Sequence, residues 1–299
     1  MLTRATETLI EQSLLYPTGF LSPLAIEEAV TRALDEDLGR AGDVTSIATI
    51  PVGTGSRTIL VARKAGTIAG LPLVAATFRK LSPDIEIKPA ARDGDAVAAK
   101  TVLMHINGDA RAVLSAERVA LNFLGHLSGI ATATAAYVAK IGQHKTRICC
   151  TRKTTPGLRA LEKYAIRCGG GFNHRFGLDD AILIKDNHIA VAGGIRAVLE
   201  RARAAAGHLV KIEIEVDSLD QLQEVIDCKL ADVVLIDNFQ PADMRKAVAM
   251  VGGRMVIEAS GGITLDSIVE IAATGVDYAS SGALTHSVQN LDVALDIEI

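Results

Sequence analysis

The sequence contains little cysteine and little proline, and it has no excess of positive charge. Its 299 residues include 4 cysteines and 8 prolines, and 31 lysines and arginines stand against 35 aspartates and glutamates. The cysteines form no CxxC pair and no Cys/His spacing, which argues against disulfides and zinc and indicates reduced thiols in a cytoplasmic protein. The formal charge of −4 argues against general nucleic-acid binding. The first residues carry charges and do not resemble a secretory signal peptide.

Long uncharged segments are also scarce. Residues 119–139 carry no formal charge over a length that could cross a membrane. The segment contains glycines, threonines, Asn122, His126 and Ser128. We therefore expect a buried helix and turn here and no contact with a membrane.

The length predicts about two domains. Up to about residue 118, short apolar segments at 59–62, 84–88 and 102–106 alternate with turns, which is typical of a small β-rich domain. A helix is predicted over 24–38, where Pro23 starts it and Gly39 ends it.

The pattern changes at about Arg147 to a repeated order of strand, turn and helix. Six apolar runs each end at a polar residue: Thr151, Lys185, Glu215, Asp237, Ser260 and Ser281. Helical patterns separate them at 156–168, 195–206, 219–230, 241–251 and 265–274. The order predicts a parallel α/β barrel, with a doubly wound open sheet as the alternative. Lys211, Glu213 and Glu215 share one face of their strand, which favours a barrel because its interior can hold charges near the active site.

Two cationic segments follow the first strand of this region. Residues 147–185 contain eight lysines and arginines and three acidic residues. Residues 151–159 place Arg152 and Lys153 before a predicted helix start, which indicates either an anion site or a solvated basic turn. Residues 168–178 combine three glycines with Arg175, whose guanidinium suits a carboxylate, although a plain flexible loop is the alternative.

Two further features of this region have competing interpretations. Between the cationic segments, Arg159, Lys163 and Arg167 form a helical stripe that we interpret as a solvated face. Lys185 ends an apolar strand and is either a Schiff-base nucleophile or a ligand for phosphate or carboxylate. His188 is expected to pack against the protein or cap a helix.

The remaining strand ends carry carboxylates and small residues. Glu215 and Asp237 could bind Mg²⁺ or sugar hydroxyls, or form simple salt bridges. The loops at 259–262 and 280–283 are rich in serine and glycine, and together they indicate a phosphate site. The sequence has no Ser/His/Asp pattern, no histidine metal cluster and no dinucleotide fingerprint. These residues fit the transfer of a sugar phosphate to an anionic acceptor.

The order of these motifs resembles the quinolinate phosphoribosyltransferase family. The main matches are residues 151–154 (TRKT), 156–159 (PGLR), 169–175 (GGGFNHR) and 183–188 (LIKDNH). Supporting matches are 36–39 (EDLG), 42–45 (GDVT), 117–122 (ERVALN), 213–216 (EIEV), 235–239 (LIDNF), 260–262 (SGG) and 282–285 (GALT). Cys150 departs from the acidic residue that many members have before TRK, which leaves Arg152 without that neighbour.

The resemblance implies an α/β sandwich domain over 1–118, to which 289–299 return, and an incomplete α/β barrel over 119–288. It implies a homodimer with shared active sites, or a higher homo-oligomer. The expected reaction joins quinolinate to phosphoribosyl pyrophosphate with Mg²⁺, giving nicotinate mononucleotide, pyrophosphate and CO₂. A related enzyme with another pyridine acceptor, a Schiff-base aldolase on Lys185 and a phosphate-binding regulatory module are the alternatives.

The resemblance also implies roles for individual residues. Arg118 of the partner subunit, Arg152, His174 and Arg175 would bind the two carboxylates of quinolinate. Thr151, Lys153 and Lys185 would contact substrate anions and pyrophosphate. Glu215 and Asp237 would bind the ribose hydroxyls or Mg²⁺, and Lys153, Lys185, Glu215 and Asp237 form the expected catalytic set. Ser260, Gly261, Gly262, Ser281 and Gly282 would bind the 5′-phosphate.

Overall fold

The computed structural model describes residue 14 and residues 19–298. The predicted absence of a signal peptide falls mostly on residues outside this range. The first half contains α1 (Pro23–Leu38), α2 (Val44–Thr49), β1 (Gly55–Ala62), β2 (Gly66–Thr67), α3 (Leu71–Leu81), β3 (Glu86–Pro89), β4 (Ala96–Val97), β5 (Val102–Asp109) and α4 (Ala110–Ile141). The middle contains β6 (Arg147–Cys149), α5 (Arg159–Cys168), β7 (Ile182–Ile184), α6 (Asp186–Ala192), α7 (Ile195–Ala205) and β8 (Ile212–Val216). The rest contains α8 (Leu219–Cys228), β9 (Val233–Asp237), α9 (Pro241–Val251), β10 (Val256–Ser260), α10 (Ile268–Ala272), β11 (Tyr278–Ser280), α11 (Ala283–His286) and β12 (Val293–Ile297).

The chain forms two compact units. One contains the described residues up to 135, with 155–170 and 287–298, and the other contains 136–154 and 171–286. This division differs from the predicted boundary at residue 118, which falls inside the continuous helix α4. It also assigns α5, which the sequence pattern places among the barrel helices, to the first unit.

The first unit is built on an antiparallel sheet with the strand order β12-β1-β5-β3. Thr58 of β1 aligns with Ile106 of β5 on one side and with Ile297 of β12 on the other. The core combines residues of β1, β5, α3 and α4, such as Leu60, Met104 and Phe78. Helix α1 begins at Pro23 and is followed by Gly39, as predicted.

The uncharged segment at 119–139 lies within α4, a single helix of 32 residues without the predicted turn. Two glycines of α4 allow the segment before β12 to pack closely against the helix. A Cβ at Gly125 would lie 3.1 Å from the carbonyl oxygen of Leu291, and one at Gly129 would lie 3.1 Å from the carbonyl carbon of Gln289. By length and composition α4 could cross a membrane, but most of its apolar window is buried in the structure, as in the core helices of soluble proteins.

A buried carboxylate, Asp93, stabilises the start of α3. It accepts hydrogen bonds from the backbone N–H groups of Gly70 and Leu71, at 2.9 and 3.1 Å, and from the hydroxyl of Tyr164 at 2.9 Å. Because the carboxylate is fully enclosed, burial raises the pKa of Asp93 to about 7.

The second unit contains a parallel six-stranded sheet in the order β6-β11-β10-β9-β8-β7. From β7 to β11 each strand pairs with the next in the chain, so the order never reverses as it does in a doubly wound sheet. Among the described residues, β6 and β7 are not paired with each other, and Phe172 forms a parallel bridge with Cys149 at the β6 edge. The prediction of an incomplete parallel barrel is confirmed.

Candidate active site

A pocket of about 390 Å³ opens at the carboxyl ends of the second unit's parallel strands. Nine predicted site residues line it: Thr151, Arg152, Lys153, His174, Arg175, Lys185, Glu215, Asp237 and Ser260. They come from loops far apart in sequence, because parallel strands bring their carboxyl ends to one edge. A larger groove of about 840 Å³ in the first unit contains none of the predicted site residues.

Two arginines dominate the electrostatics of this pocket. The Nε atoms of Arg152 and Arg175 are both buried and have no hydrogen-bond partner. The Nη1 of Arg175 donates to the carbonyl oxygen of Ala181 at 3.0 Å, which fixes the guanidinium. Burial, and secondarily the charge of Arg152, lower the pKa of Arg175. Two neighbouring cations with unused donors form a strong site for an anion, which would relieve their repulsion.

Behind the arginines lies a buried cluster of one imidazole and two carboxylates. His174 Nδ1 accepts from the backbone N–H of Arg175 at 2.7 Å, and its Nε2 lies 2.9 Å from Glu213 Oε2 and 3.8 Å from Glu258 Oε1. Burial and the nearby Glu213 carboxylate raise the pKa of Glu258 to about 7. Because both ring nitrogens already have partners, His174 would have to exchange one of them to bind a substrate carboxylate directly.

The remaining charged residues form a second group on the pocket wall. Lys185 Nζ lies 3.0 Å from Glu215 Oε2, and Asp237 Oδ2 accepts from Asn238 Nδ2 at 2.6 Å. Lys185 also precedes α6, where its backbone N–H donates to Nδ1 of His188, which confirms the capping interpretation of that histidine. Lys211 does not join the pocket, because its ammonium pairs with Asp232 and is largely exposed.

The two small-residue loops differ in what they present. Gly261 and Gly262 adopt φ values of 94° and 59°, which favour glycine, and they follow Ser260 on the pocket wall. Ser281 does not line the pocket: its hydroxyl donates to the carbonyl of Ile263 and its N–H to the carbonyl of Cys149. Ser280 lines the pocket instead.

Gly282, the other predicted member of this loop, has a packing requirement. A Cβ at this position would lie 2.9 Å from Cδ of Lys153, so glycine leaves space for the lysine side chain. Thr285 Oγ1 donates to the carbonyl oxygen of Lys153 at 2.8 Å, which ties α11 to the same loop. The loop after β11 therefore supports the position of Lys153.

In the segment at 151–159, Arg152 and Lys153 line the pocket, whereas the backbone next to α5 is paired within the protein. The helix begins at Arg159 rather than Pro156, and the backbone N–H of Thr155 donates to Oε2 of Glu162 at 3.1 Å. The other carboxylate oxygen of Glu162, which is fully buried, lies 2.9 Å from Nε2 of His126. Lys163 is also fully buried, so the interpretation of its stripe as a solvated face is wrong at that residue.

The glycine loop after α5 also has a packing role. A Cβ at Gly169 would lie 2.6 Å from Cβ of Thr134, so glycine permits the close approach of α4. Cys150, which precedes the TRK segment, directs its thiol to Oδ1 of Asn173 at 3.4 Å. All four cysteines are free and buried, in agreement with the expectation of unpaired thiols.

Glu258 was missed by the sequence analysis, which noted Ser280 and Glu213 only as members of a loop and of a strand face, without assigning them to the site. Glu258 and Ser280 line the pocket, and Glu213 lies behind His174. Alternation along the strands carries the signal for the two glutamates, because Glu258 and Glu213 each stand two residues before a predicted site residue, on the same strand face. Arg118, in contrast, is an exposed residue of α4 in the first unit and does not line this pocket.

Mg²⁺ prefers one or two carboxylates together with phosphate oxygens as ligands. Glu215 and Asp237 each place carboxylate oxygens on the pocket wall and fit this requirement. Ligand atoms of His174, Glu213 and Glu258 also lie within 4.8 Å of one another.

Comparison with known proteins gives a consistent result over most of the chain. The sequence models of the N-terminal and C-terminal domains of quinolinate phosphoribosyl transferase match residues 43–128 and 130–296. A probable nicotinate-nucleotide pyrophosphorylase [carboxylating] of Bacillus subtilis is 43% identical over 93% of this chain and 96% of its own length. The corresponding protein of Mycobacterium leprae is 42% identical over 91% of this chain and 97% of its own. A solved nicotinate-nucleotide pyrophosphorylase of Francisella tularensis superposes with a TM-score of 0.90 at 38% identity, covering 94% of this chain and 98% of that one.

Proposed function

The chain belongs to the quinolinate phosphoribosyltransferase family, and we propose that it transfers the phosphoribosyl group of phosphoribosyl pyrophosphate to quinolinate. The products are nicotinate mononucleotide, pyrophosphate and CO₂, so the enzyme serves NAD biosynthesis. The observation that carries this proposal is the pair of buried, unpartnered Nε atoms of Arg152 and Arg175 in the pocket. A dicarboxylate supplies the anionic oxygens that these donors lack.

The transfer needs a stabilised leaving group and a held acceptor. The bond between C1′ and the pyrophosphate oxygen breaks, and a bond from C1′ to the acceptor's ring nitrogen forms. Lys153 and Lys185 neutralise charge on the departing pyrophosphate, and the Thr151 hydroxyl donates a hydrogen bond to it. The Glu215 and Asp237 carboxylates favour the positive charge that develops at C1′. Ser260, Gly261 and Gly262 hold the 5′-phosphate, and Gly282 leaves space for Lys153.

Decarboxylation follows from the chemistry of the product ring. Alkylation makes the ring nitrogen cationic, so the electron pair left when CO₂ departs is stabilised beside it, and a proton from water then replaces the carboxylate. Arg152 and Arg175 hold the acceptor in place for both steps. No covalent nucleophile is needed, which agrees with the lack of a Ser/His/Asp pattern.

Glu215 and Asp237 are the residues we propose for Mg²⁺. The bound ion would neutralise pyrophosphate charge and so assist its departure. Lys185 Nζ lies 3.0 Å from Glu215 Oε2, and this ion pair helps to orient the carboxylate on the pocket wall.

We also propose that the enzyme is a homodimer in which Arg118 of the partner subunit completes the quinolinate site. Arg118 is exposed in the first unit and therefore available to another molecule. Mixing Arg118→Ala subunits with Lys185→Ala subunits should restore part of the activity, because some composite sites then contain both wild-type residues. Absence of recovery despite verified subunit exchange would contradict a shared site.

The test of the main proposal is a CO₂-release assay with quinolinate and phosphoribosyl pyrophosphate, with nicotinate as the control acceptor. We expect CO₂ and nicotinate mononucleotide in equal amounts, only with quinolinate. Turnover with another pyridine and not with quinolinate would favour the related enzyme, and binding without CO₂ would favour the regulatory module. Borohydride trapping of an adduct on Lys185 would favour the aldolase.

A further inference from the structure

Asn238 directly follows β9 and occupies an unusual backbone conformation. Its φ of 58° lies in the left-handed region, which only Lys100 and Lys229 share among the described residues other than glycine. Asparagine tolerates this conformation better than most residues. The conformation turns the chain sharply at the pocket edge, immediately after Asp237.

The Asn238 side chain is bonded to a proposed site residue. Its Nδ2 donates to Oδ2 of Asp237 at 2.6 Å, a hydrogen bond between a neutral amide and a charged carboxylate. Such charge-assisted bonds are stronger than neutral ones, and they restrict the rotation of the carboxylate. One oxygen of Asp237 is thus held, and the other is left for a ligand.

Asn238 also contacts the next loop along the sheet. Its backbone N–H donates to the carbonyl oxygen of Ser260 at 2.9 Å. A Cβ at Gly261 would lie 2.8 Å from the backbone nitrogen of Asn238 and closer still to its side-chain oxygen, so the two loops fit only if residue 261 is glycine. Asn238 therefore touches both the carboxylate proposed for the ribose and the loop proposed for the 5′-phosphate.

We propose that Asn238 is a positioning residue that sets the spacing between the Asp237 carboxylate and the Ser260–Gly262 loop, and so recognises the ribose 5-phosphate part of the donor substrate. This inference rests on the proposed function for the identity of the donor. The group recognised is a five-carbon sugar with adjacent hydroxyls and a terminal phosphate monoester. Asn238 does not contribute to binding of the acceptor, because Arg152 and Arg175, which we assign to the acceptor, lie on other loops.

The test uses two substitutions that both tolerate the left-handed backbone. Asn238→Gly removes the amide, and Asn238→Asp replaces the donor with a second carboxylate beside Asp237. We expect Asn238→Gly to raise the KM for phosphoribosyl pyrophosphate and the Kd of ribose 5-phosphate about ten-fold, and Asn238→Asp to raise them further. The KM for quinolinate should stay within about two-fold of wild type. Lys229→Gly, at a left-handed residue that ends α8 away from the pocket, is the matched control and should leave all of these values unchanged.

The outcomes separate the positioning role from a plain turn. If Asn238 only forms a turn, both variants should keep the wild-type KM for phosphoribosyl pyrophosphate and Kd for ribose 5-phosphate, because glycine and aspartate accept the same φ. That result would overturn the inference. An equal loss of donor and acceptor affinity with a lowered Tm would also overturn it. Calorimetric binding of ribose 5-phosphate needs no turnover, so an Asn238-dependent Kd in a protein that releases no CO₂ would refute the proposed function and leave the inference standing.

Discussion

Arg175 offers the sharpest test of how the pocket recognises its acceptor. Lysine at this position keeps the positive charge but lacks the planar guanidinium, so Arg175→Lys removes the buried Nε donor and the bond from Nη1 to Ala181. A hydrogen bond to a charged group contributes about 1.5–3 kcal/mol, and about 1.4 kcal/mol corresponds to a ten-fold change. Loss of one such bond to the acceptor carboxylate should therefore raise the KM for quinolinate about 10- to 100-fold.

The assay is steady-state CO₂ release with each substrate varied in turn. The KM for phosphoribosyl pyrophosphate should stay within about two-fold, because the donor is bound by other groups. Arg203→Lys is the matched control, since Arg203 also donates to a backbone carbonyl, that of Leu230, but lies outside the pocket. An unchanged KM for quinolinate, or an equal rise for both substrates, would refute the assignment of Arg175 to the acceptor.

Three further predictions concern stability. The pKa of Asp93 is raised from 3.8 to about 7, so between these pH values the folded state binds more protons than the unfolded state. The free energy of unfolding should therefore fall as pH rises from about 4 to about 7. Urea titrations should show that Asp93→Asn flattens this fall. Glu162→Ala should lower the free energy of unfolding by about 1–3 kcal/mol, because it removes a buried carboxylate that pairs with Thr155 and His126. Glu200→Ala, at an exposed position, should change it little. Gly129→Ala should lower Tm by forcing a Cβ against a backbone carbonyl, and Gly207→Ala, which has space for a Cβ, should not.

Each of these predictions has a result that contradicts it. Parallel pH profiles for wild type and Asp93→Asn would show that this carboxyl does not titrate in the stated window. A Tm for Glu162→Ala equal to that of Glu200→Ala would mean that the buried contacts contribute nothing net. Equal Tm values for the two glycine variants would mean that the chain beside α4 shifts at no cost.

The sequence predicted the elements best where local chemistry alone decides them. Pro23 and Gly39 bound their helix as expected, and five of the six polar residues at the ends of the barrel strands line one pocket. The failures lie where a distant segment changes the local preference. The glycines at 119–139 suggest a turn until Gln289 and Asn290 are seen to pack against Gly129. Pro156 suggests the start of α5, although the helix begins at Arg159.

The choice between neighbouring serines shows a further limit. Ser280 and Ser281 have the same chemistry, and only the end of β11 decides which one faces the pocket. A shift of one residue reverses the face that a side chain occupies in a strand. Strand ends are difficult to assign from sequence to within one residue, so the sequence alone does not decide between Ser280 and Ser281.

The pairing of β12 with β1 determines when, during synthesis, the antiparallel sheet of the first unit can be completed. These strands lie at nearly opposite ends of the chain, yet they are neighbours in the antiparallel sheet of the first unit. During synthesis, the edge of β1 that pairs with β12 stays open until β12 emerges from the ribosome, after all the strands of the second unit. An open strand edge is a site for pairing with other chains. The nascent first unit therefore keeps an unpaired strand edge while the second unit is made, and it depends on rapid closure of this edge once β12 has emerged.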